Sequence, residues 1–264
     1  MGGSYRDLTA TVYKDYGNKV YRLALSITRN ERDAEDVAQN VFIKVFKNLK
    51  YFRKESKVST WIYRIAYNES LMFLRKRRSL NRLSRTVASG DRKGPAGLFV
   101  NWAKMPDAYA LDEEMKQQID ESVRSMPIQY RMALHLHALD GLSIKESAAI
   151  LRLKADSFKT RLHRARMLIR SGFSEYLKDH PQGAEQQPAG PKTCSIMTGF
   201  ISRYADGSMQ ERTHKAFDRH IADCRGCKEF LRSYAAAIRV SKALECRDLP
   251  SELQDKIKKF ILKK

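Results

Sequence analysis

The 264-residue chain is long enough for about two ordinary domains, and its 42% apolar content is adequate for packed cores. Its 50 lysines and arginines against 30 acids leave a formal charge of +20, which points to a polyanionic partner: nucleic acid first, an anionic membrane surface second. No run approaches the roughly 18 uninterrupted apolar residues of a spanning helix, and MGGSYRDLTA lacks the basic-then-apolar layout of a signal peptide, so a cytoplasmic location is expected.

Apolar residues recur at spacings of three and four and alternating runs are scarce, which predicts an all-α protein. The first helix, 5–28, carries Leu8, Val12, Tyr16, Val20, Leu23 and Ile27, with Gly17 and Asn18 as a candidate kink. Arg29 and Asn30 read as a turn. A second helix starts at Asp33, with Asp33, Glu35 and Asp36 in its first turn, where the helix dipole favours negative charge. Val37, Val41, Phe42, Val45, Phe46 and Leu49 form a stripe wide enough for a core and a partner together. The stretch KYFRKESKVST reads as a basic, aromatic loop. A third helix, capped by Ser59 or Thr60, interleaves aromatic residues with Arg64, Arg75, Lys76, Arg77 and Arg78. That mixture suits single-stranded DNA, because bases stack on aromatic faces while cations hold the phosphates. Most of these aromatics could equally be core.

Residues 81–110 read as a linker, since Gly90, Gly94, Pro95, Gly97 and Pro106 break any period, with local structure only around 98–102. A helix over 111–125 follows, and Pro127 can open another that runs to Leu139 and ends at Asp140 and Gly141. Ser143 with Glu146 three residues on is a capping-box start, and Ile144, Ala148 and Leu151 give its helix one apolar face. After a turn at 152–155, a longer helix places Phe158, Leu162, Ala165 and Ile169 on one side. Lys159, Arg161, Arg164, Arg166 and Arg170 are spread around the rest. Two such helices make a helix-turn-helix with a cationic second helix; the bland alternative is a solvated basic helix in a bundle.

A second linker, 179–192, is rich in Pro, Gly and Gln and leads to a third unit, 193–264. Helices are expected over 195–204, 208–222 and 228–244, with a turn at Asp206 and Gly207 and a basic amphipathic tail from Ser251. Within this unit lies His220-x3-Cys224-x2-Cys227, preceded by Cys194. His220 and Cys224 are one helical turn apart, and Cys224 and Cys227 can fold onto one ion. Three sulfurs and an imidazole would make a closed, structural zinc site. A redox Cys-x-x-Cys or unrelated thiols are the alternatives. Cys246 falls outside the spacing and reads as a free thiol. No phosphate-cradling glycine loop or nucleophile elbow is present, and His135 and His137 face different directions on their helix, so no enzyme is expected.

In combination these motifs resemble the sigma factors of the extracytoplasmic-function type, with a unit at 193–264 similar to the zinc-binding anti-sigma fold, whose pattern is a leading Cys and then His-x3-Cys-x2-Cys. The resemblance implies a polymerase-binding, promoter-melting domain over 1–80 and a helix-turn-helix domain over 111–178. DAEDVAQNVFIKVF looks like the helix that docks on RNA polymerase core, through Asp33, Asp36, Gln39 and Phe42. STWIYRIAYNESLMFLRKRRS looks like the promoter-melting segment, where Trp61, Arg64, Tyr67, Asn68, Arg75 and Arg77 would meet the single-stranded downstream element. The loop 50–57 would hold a flipped base. SFKTRLHRAR is similar to the helix that reads the duplex upstream element, with Ser157, Lys159, Thr160, Arg161, His163 and Arg164 toward DNA. Cys194, His220, Cys224 and Cys227 would hold zinc. The chain departs from the family at Asp156-Ser157-Phe158, where Gly-Thr-Val is common, at Asn40, and at Lys154, a poor helix cap. The implied function is promoter recognition and strand opening, with the zinc unit masking the sigma domains in cis or stabilising them. The alternatives are a helix-turn-helix regulator acting without polymerase and a zinc/thiol redox sensor.

Overall fold

The computed structural model describes residues 2–52, 57–83, 98–104, 113–179 and 192–262. It is all-α apart from one two-residue ladder, as the helical spacing predicts. The chain divides into two compact units, each discontinuous in sequence: Met1–Leu98 with Arg131–Lys159 and Glu245–Lys264, and Phe99–Tyr130 with Thr160–Leu244. The expected linkers, 81–110 and 179–192, lie largely outside the described residues.

In the first unit α1 (Gly2–Thr28), α2 (Glu31–Asn48) and α3 (Val58–Leu83) pack against one another. Gly17 does not interrupt α1. A Cβ there would lie 3.3 Å from the Tyr13 ring, so the glycine leaves room for that side chain. Arg29 takes a left-handed φ of 56°, and the Asn30 side chain accepts from the Asp33 amide at 3.0 Å. This cap starts α2 at Glu31, two residues before the expected Asp33. Phe42 is the clearest correction. It is only 1% exposed and meets Tyr13 edge-on at 5.1 Å, so the stripe Val37, Val41, Phe42 and Val45 is all core and Phe42 presents nothing to a partner. Helix α3 begins at Val58, ahead of the expected caps, and continues past the expected boundary at 80.

The same unit takes in the end of α5 (Ile128–Leu134), a π-helical segment His135–Leu139 and α6 (Ile144–Ile150), which packs on α3. His135 is buried, with Nε2 3.3 Å from a carboxylate oxygen of Asp140, and Gly141 closes the turn at φ +67°. His137 Nδ1 lies 2.9 Å from the carbonyl of Leu142. Both histidines thus serve packing, as expected. The tail helix α11 (Ser251–Leu262) lies on α1 and α2. Cys246, just before it, is buried, and burial pushes its thiol up to about 12.

The second unit contains α4 (Glu113–Ser125), most of α7 (Ala155–Asp179) and the helices α8 (Lys192–Ala205), α9 (Glu211–Asp223) and α10 (Arg225–Lys242). A Cβ on Gly172 of α7 would come within 3.0 Å of Ser122 Oγ and 3.2 Å of the Ile119 backbone, so α4 and α7 approach too closely there for a larger residue. Ile201, Phe217 and Tyr234 form a buried core against which Phe200, Tyr204, Phe230 and Met167 pack. The short strands β1 (Phe99–Val100) and β2 (Leu244–Glu245) pair, which nothing in the helical periodicity foretells, and the Asn101 amide donates to the Ala243 carbonyl at 2.8 Å.

Candidate functional site

The helix-turn-helix forms as its sequence dictates. Ser143 and Glu146 complete a reciprocal capping box at the start of α6, and Arg152, at φ 55°, turns the chain into α7. Phe158, Leu162, Ala165 and Ile169 are buried, as the spacing requires. Ser157, Lys159, Thr160 and Arg164 are exposed and Arg161 is half-buried, so these cations and hydroxyls line one accessible stretch of helix. Arg164 also donates to the Tyr130 hydroxyl at 3.2 Å.

The next turns of α7 differ. His163, Arg166, Met167 and Arg170 recur at spacings of three and four, so they share one face. That face lies against the C-terminal helices. Asp206, in the turn after α8, accepts from Arg166 at 2.9 Å, and Arg166 is only 6% exposed. The Arg166 charge acts on the Tyr234 hydroxyl nearby, opposing the rise that burial gives its pKa. That hydroxyl lies at hydrogen-bond distance, 3.0 Å, from His163 Nδ1 and donates to the ring in the tautomer that leaves Nδ1 unprotonated. Burial, then the Arg166 charge, holds His163 below its ordinary pKa, which favours the neutral acceptor form. One turn on, Arg170 donates to Ser233 Oγ at 2.8 Å, and its guanidinium lies 3.8 Å from the centre of the Phe230 ring. His163, expected toward DNA, is therefore engaged by Tyr234. A side chain that offers its ring nitrogen to a buried hydroxyl does not reach a base from the same pose.

On α3 the expected strand-opening residues are also partly engaged. Arg64 donates to the Ala149 carbonyl of α6 at 3.0 Å, and Lys57 donates to Glu146 at 2.6 Å. Hydrogen bonds from Lys57 and then Ser143 hold the Glu146 carboxyl down to about 2. Trp61 is half-buried with its ring 5.2 Å from that of Phe52, and Tyr67 is half-buried, whereas Asn68 and Arg75 are exposed. Tyr51 stands exposed beside them in chain order, with the Lys50 ammonium 4.7 Å from its ring centre. Residues 53–56 of the expected base-holding loop lie outside the described residues. Arg77 pairs with Asp33, so neither the expected strand contact nor the expected polymerase contact is free. Asp36 is exposed and Gln39 half-exposed on α2.

The helical hairpin α9–α10 brings three donors together. His220 sits in the last turn of α9, Cys224 at the junction, where its amide donates to the His220 carbonyl at 2.8 Å, and Cys227 in the first turn of α10. Their donor atoms all lie within 4.8 Å of one another, and His220 Nε2 is 3.2 Å from Cys227 Sγ. Tetrahedral zinc with ordinary Zn–N and Zn–S lengths separates such donors by roughly 3.6 Å, so the trio fits that ion with little adjustment. Cys194 falls inside α8 rather than ahead of it, and its side chain lies outside the described residues.

Asp206, Tyr234 and Glu146 were not singled out as partners of the basic helices. The sequence signals for such a role are slight: the acid just after a helix at Asp206 and an aromatic hydroxyl in the apolar stripe of α10 at Tyr234.

Two family models match the chain, Sigma-70 region 2 over residues 12–80 and Sigma-70 region 4 over residues 116–169. The ECF RNA polymerase sigma factor SigW of Bacillus subtilis is 31% identical over 165 residues, covering 62% of this chain and 88% of that protein. The ECF RNA polymerase sigma-E factor of Escherichia coli is 34% identical over 137 residues, 52% of this chain and 72% of its own length. A solved structure of a sigma factor with the anti-sigma factor NepR from Bartonella quintana covers 59% of this chain and 90% of that one, at 23% identity and a TM-score of 0.45.

Proposed function

We propose, for a chain that belongs to the ECF sigma factors and so directs RNA polymerase in transcription initiation, that its C-terminal helices regulate it in cis. Membership leaves the alternative of a regulator acting without polymerase unsupported. In this reading α7 reads duplex promoter DNA through Ser157, Lys159, Thr160, Arg161 and Arg164. His163 joins them only when Tyr234 lets go. Helix α3 handles the opened strand through Trp61, Tyr67, Asn68 and Arg75, because half-exposed rings and an exposed cation suit stacked bases and phosphates. Arg64 would join them on leaving Ala149.

Helices α8 to α10 act as an anti-sigma-like cover over the basic face of α7. The observation that carries this reading is the pair of ties Arg166–Asp206 and His163–Tyr234, which join two turns of α7 to the C-terminal helices. Cys194, His220, Cys224 and Cys227 would hold a structural zinc ion. A closed zinc site supplies folding energy to a unit with so small a core and leaves no open position for catalysis. Runoff transcription with core polymerase tests the cover. Asp206→Lys sets a cation against Arg166 and should raise promoter-directed transcript several-fold over the natural chain; equal or lower output would count against a cover in cis.

A further inference from the structure

One contact of the reading helix comes from outside the helix-turn-helix. Tyr130 stands in the first turn of α5, just after Met126 and Pro127, and its amide donates to the Pro127 carbonyl at 3.0 Å. Met126 is buried and Tyr130 is half-buried, so the phenol is anchored in the fold. Its hydroxyl accepts from Nη1 of Arg164, in the third turn of α7, at 3.2 Å, and this hydrogen bond is exposed. Both residues belong to the second unit.

Spacing decides which side of α7 this contact serves. Ser157, Thr160, Arg161 and Arg164 recur at intervals of three and four, so they share a face. His163, Arg166 and Arg170 form a different face, the one that meets the C-terminal helices. The two arginines are held by different chemistry. Arg166 meets the carboxylate of Asp206, which offsets its charge, whereas Arg164 meets a phenol, which fixes the guanidinium and leaves its charge available to a polyanion. A free arginine loses much rotamer freedom on gripping a base, and a side chain already held at one nitrogen loses less. The bond to Tyr130 uses one N–H at Nη1. Nε and Nη2 keep the two-pronged edge that matches O6 and N7 of guanine in the major groove.

We propose that Tyr130 is a positioning residue for promoter readout: its hydroxyl orients Arg164 so that the other edge of the guanidinium meets a guanine of the duplex upstream element. The inference rests on the reading of α7 as a duplex-binding helix, but not on the cover by α8 to α10 or on zinc.

The test uses the full chain with core polymerase and a pool of promoter duplexes randomised over the upstream element, sequenced before and after capture. The natural chain should enrich guanine at one position, and Arg164→Ala should abolish that preference. Tyr130→Phe keeps the ring and loses the hydroxyl. It should weaken the preference about two- to tenfold, lowering affinity for the guanine duplex more than for duplexes with another base there. With Arg164→Ala already present, adding Tyr130→Phe should change nothing further, since the hydroxyl acts only through that side chain. A Tyr130 that merely supports the fold would lower affinity for every sequence alike, and its effect would add to that of Arg164→Ala. Either result would overturn the proposal, as would an unchanged preference in Tyr130→Phe or a natural chain that selects no guanine. If Arg164→Ala leaves both preference and affinity at natural values, the reading of α7 itself fails, so the two failures are told apart.

Discussion

The C-terminal portion of the chain makes two attachments of opposite physical character. In the second unit it grips α7 through buried groups: Tyr234 is fully buried, Arg166 nearly so, and His163 is half-buried between them. In the first unit a strap, residues 246–262, is tied by the ion pairs Arg22–Asp248 and Arg247–Glu31, which are half or more open to water on at least one side. Buried hydrogen-bonded groups are costly to leave unpaired, whereas exposed pairs are screened and worth little. The grip on α7 should therefore come apart cooperatively, and the ties of the strap one at a time.

Removing the Tyr234 side chain should break that contrast most severely. Tyr234→Ala empties the centre of the cluster formed with Ile201 and Phe217 and should cost about 3–5 kcal/mol in denaturant unfolding of the second unit. Tyr234→Phe keeps the packing and loses only the hydroxyl, for about 1 kcal/mol. A similar loss from both would show that the polar ties, not the packing, hold the helices together. Asp206→Ala leaves the buried Arg166 guanidinium without its carboxylate and should cost about 1–3 kcal/mol. At the other end, Asp248→Ala should cost under about 1 kcal/mol and lose even that at high salt.

Acid provides a gentler probe of the same contacts. His163 is held below its ordinary pKa, so the unfolded chain binds more protons there than the folded one. Its contribution is fully present above the unfolded value of roughly 6.5 and is lost as pH falls below it. Chemical-shift titration of His163 in the full chain should show the depressed value, and His163→Gln should flatten the acid loss of stability in this range. Glu146 works the same way lower down: with its carboxyl at about 2, the Lys57 and Ser143 bonds contribute above the ordinary carboxylate range and fade as pH drops toward that value.

Much of this was legible in the chain because local chemistry decided it. The Ser143–Glu146 box, the glycine turns at Gly141 and Gly207, and the inward face of α7 all follow from residues within one or two helical turns. The gathering of His220, Cys224 and Cys227 was legible for a similar reason, since one tight junction between two helices, eight residues end to end, brings their donor atoms together. What the sequence hid depends on partners far along it. The wide stripe of α2 could be read as core or as docking face, and only the arrival of Tyr13 decides that Phe42 is core. Arg166 and Arg170 read only as part of the cationic side of α7 because their partners, Asp206, Ser233 and Phe230, lie 40 or more residues away. The tail from Ser251 announced an amphipathic helix, but nothing in its pattern named α1 and α2 as the surface beneath it.

Cover over the basic face of α7 is the central claim, and metal removal tests it most directly. The full chain is titrated against fluorescent duplex promoter DNA after loading with zinc, after chelation, and after zinc is restored. Loss of the ion should loosen α8 to α10, free His163, Arg166 and Arg170, and tighten DNA binding by about tenfold, with the original affinity returning on readdition. Equal or weaker binding by the metal-free chain, with the first unit still folded, would contradict the account.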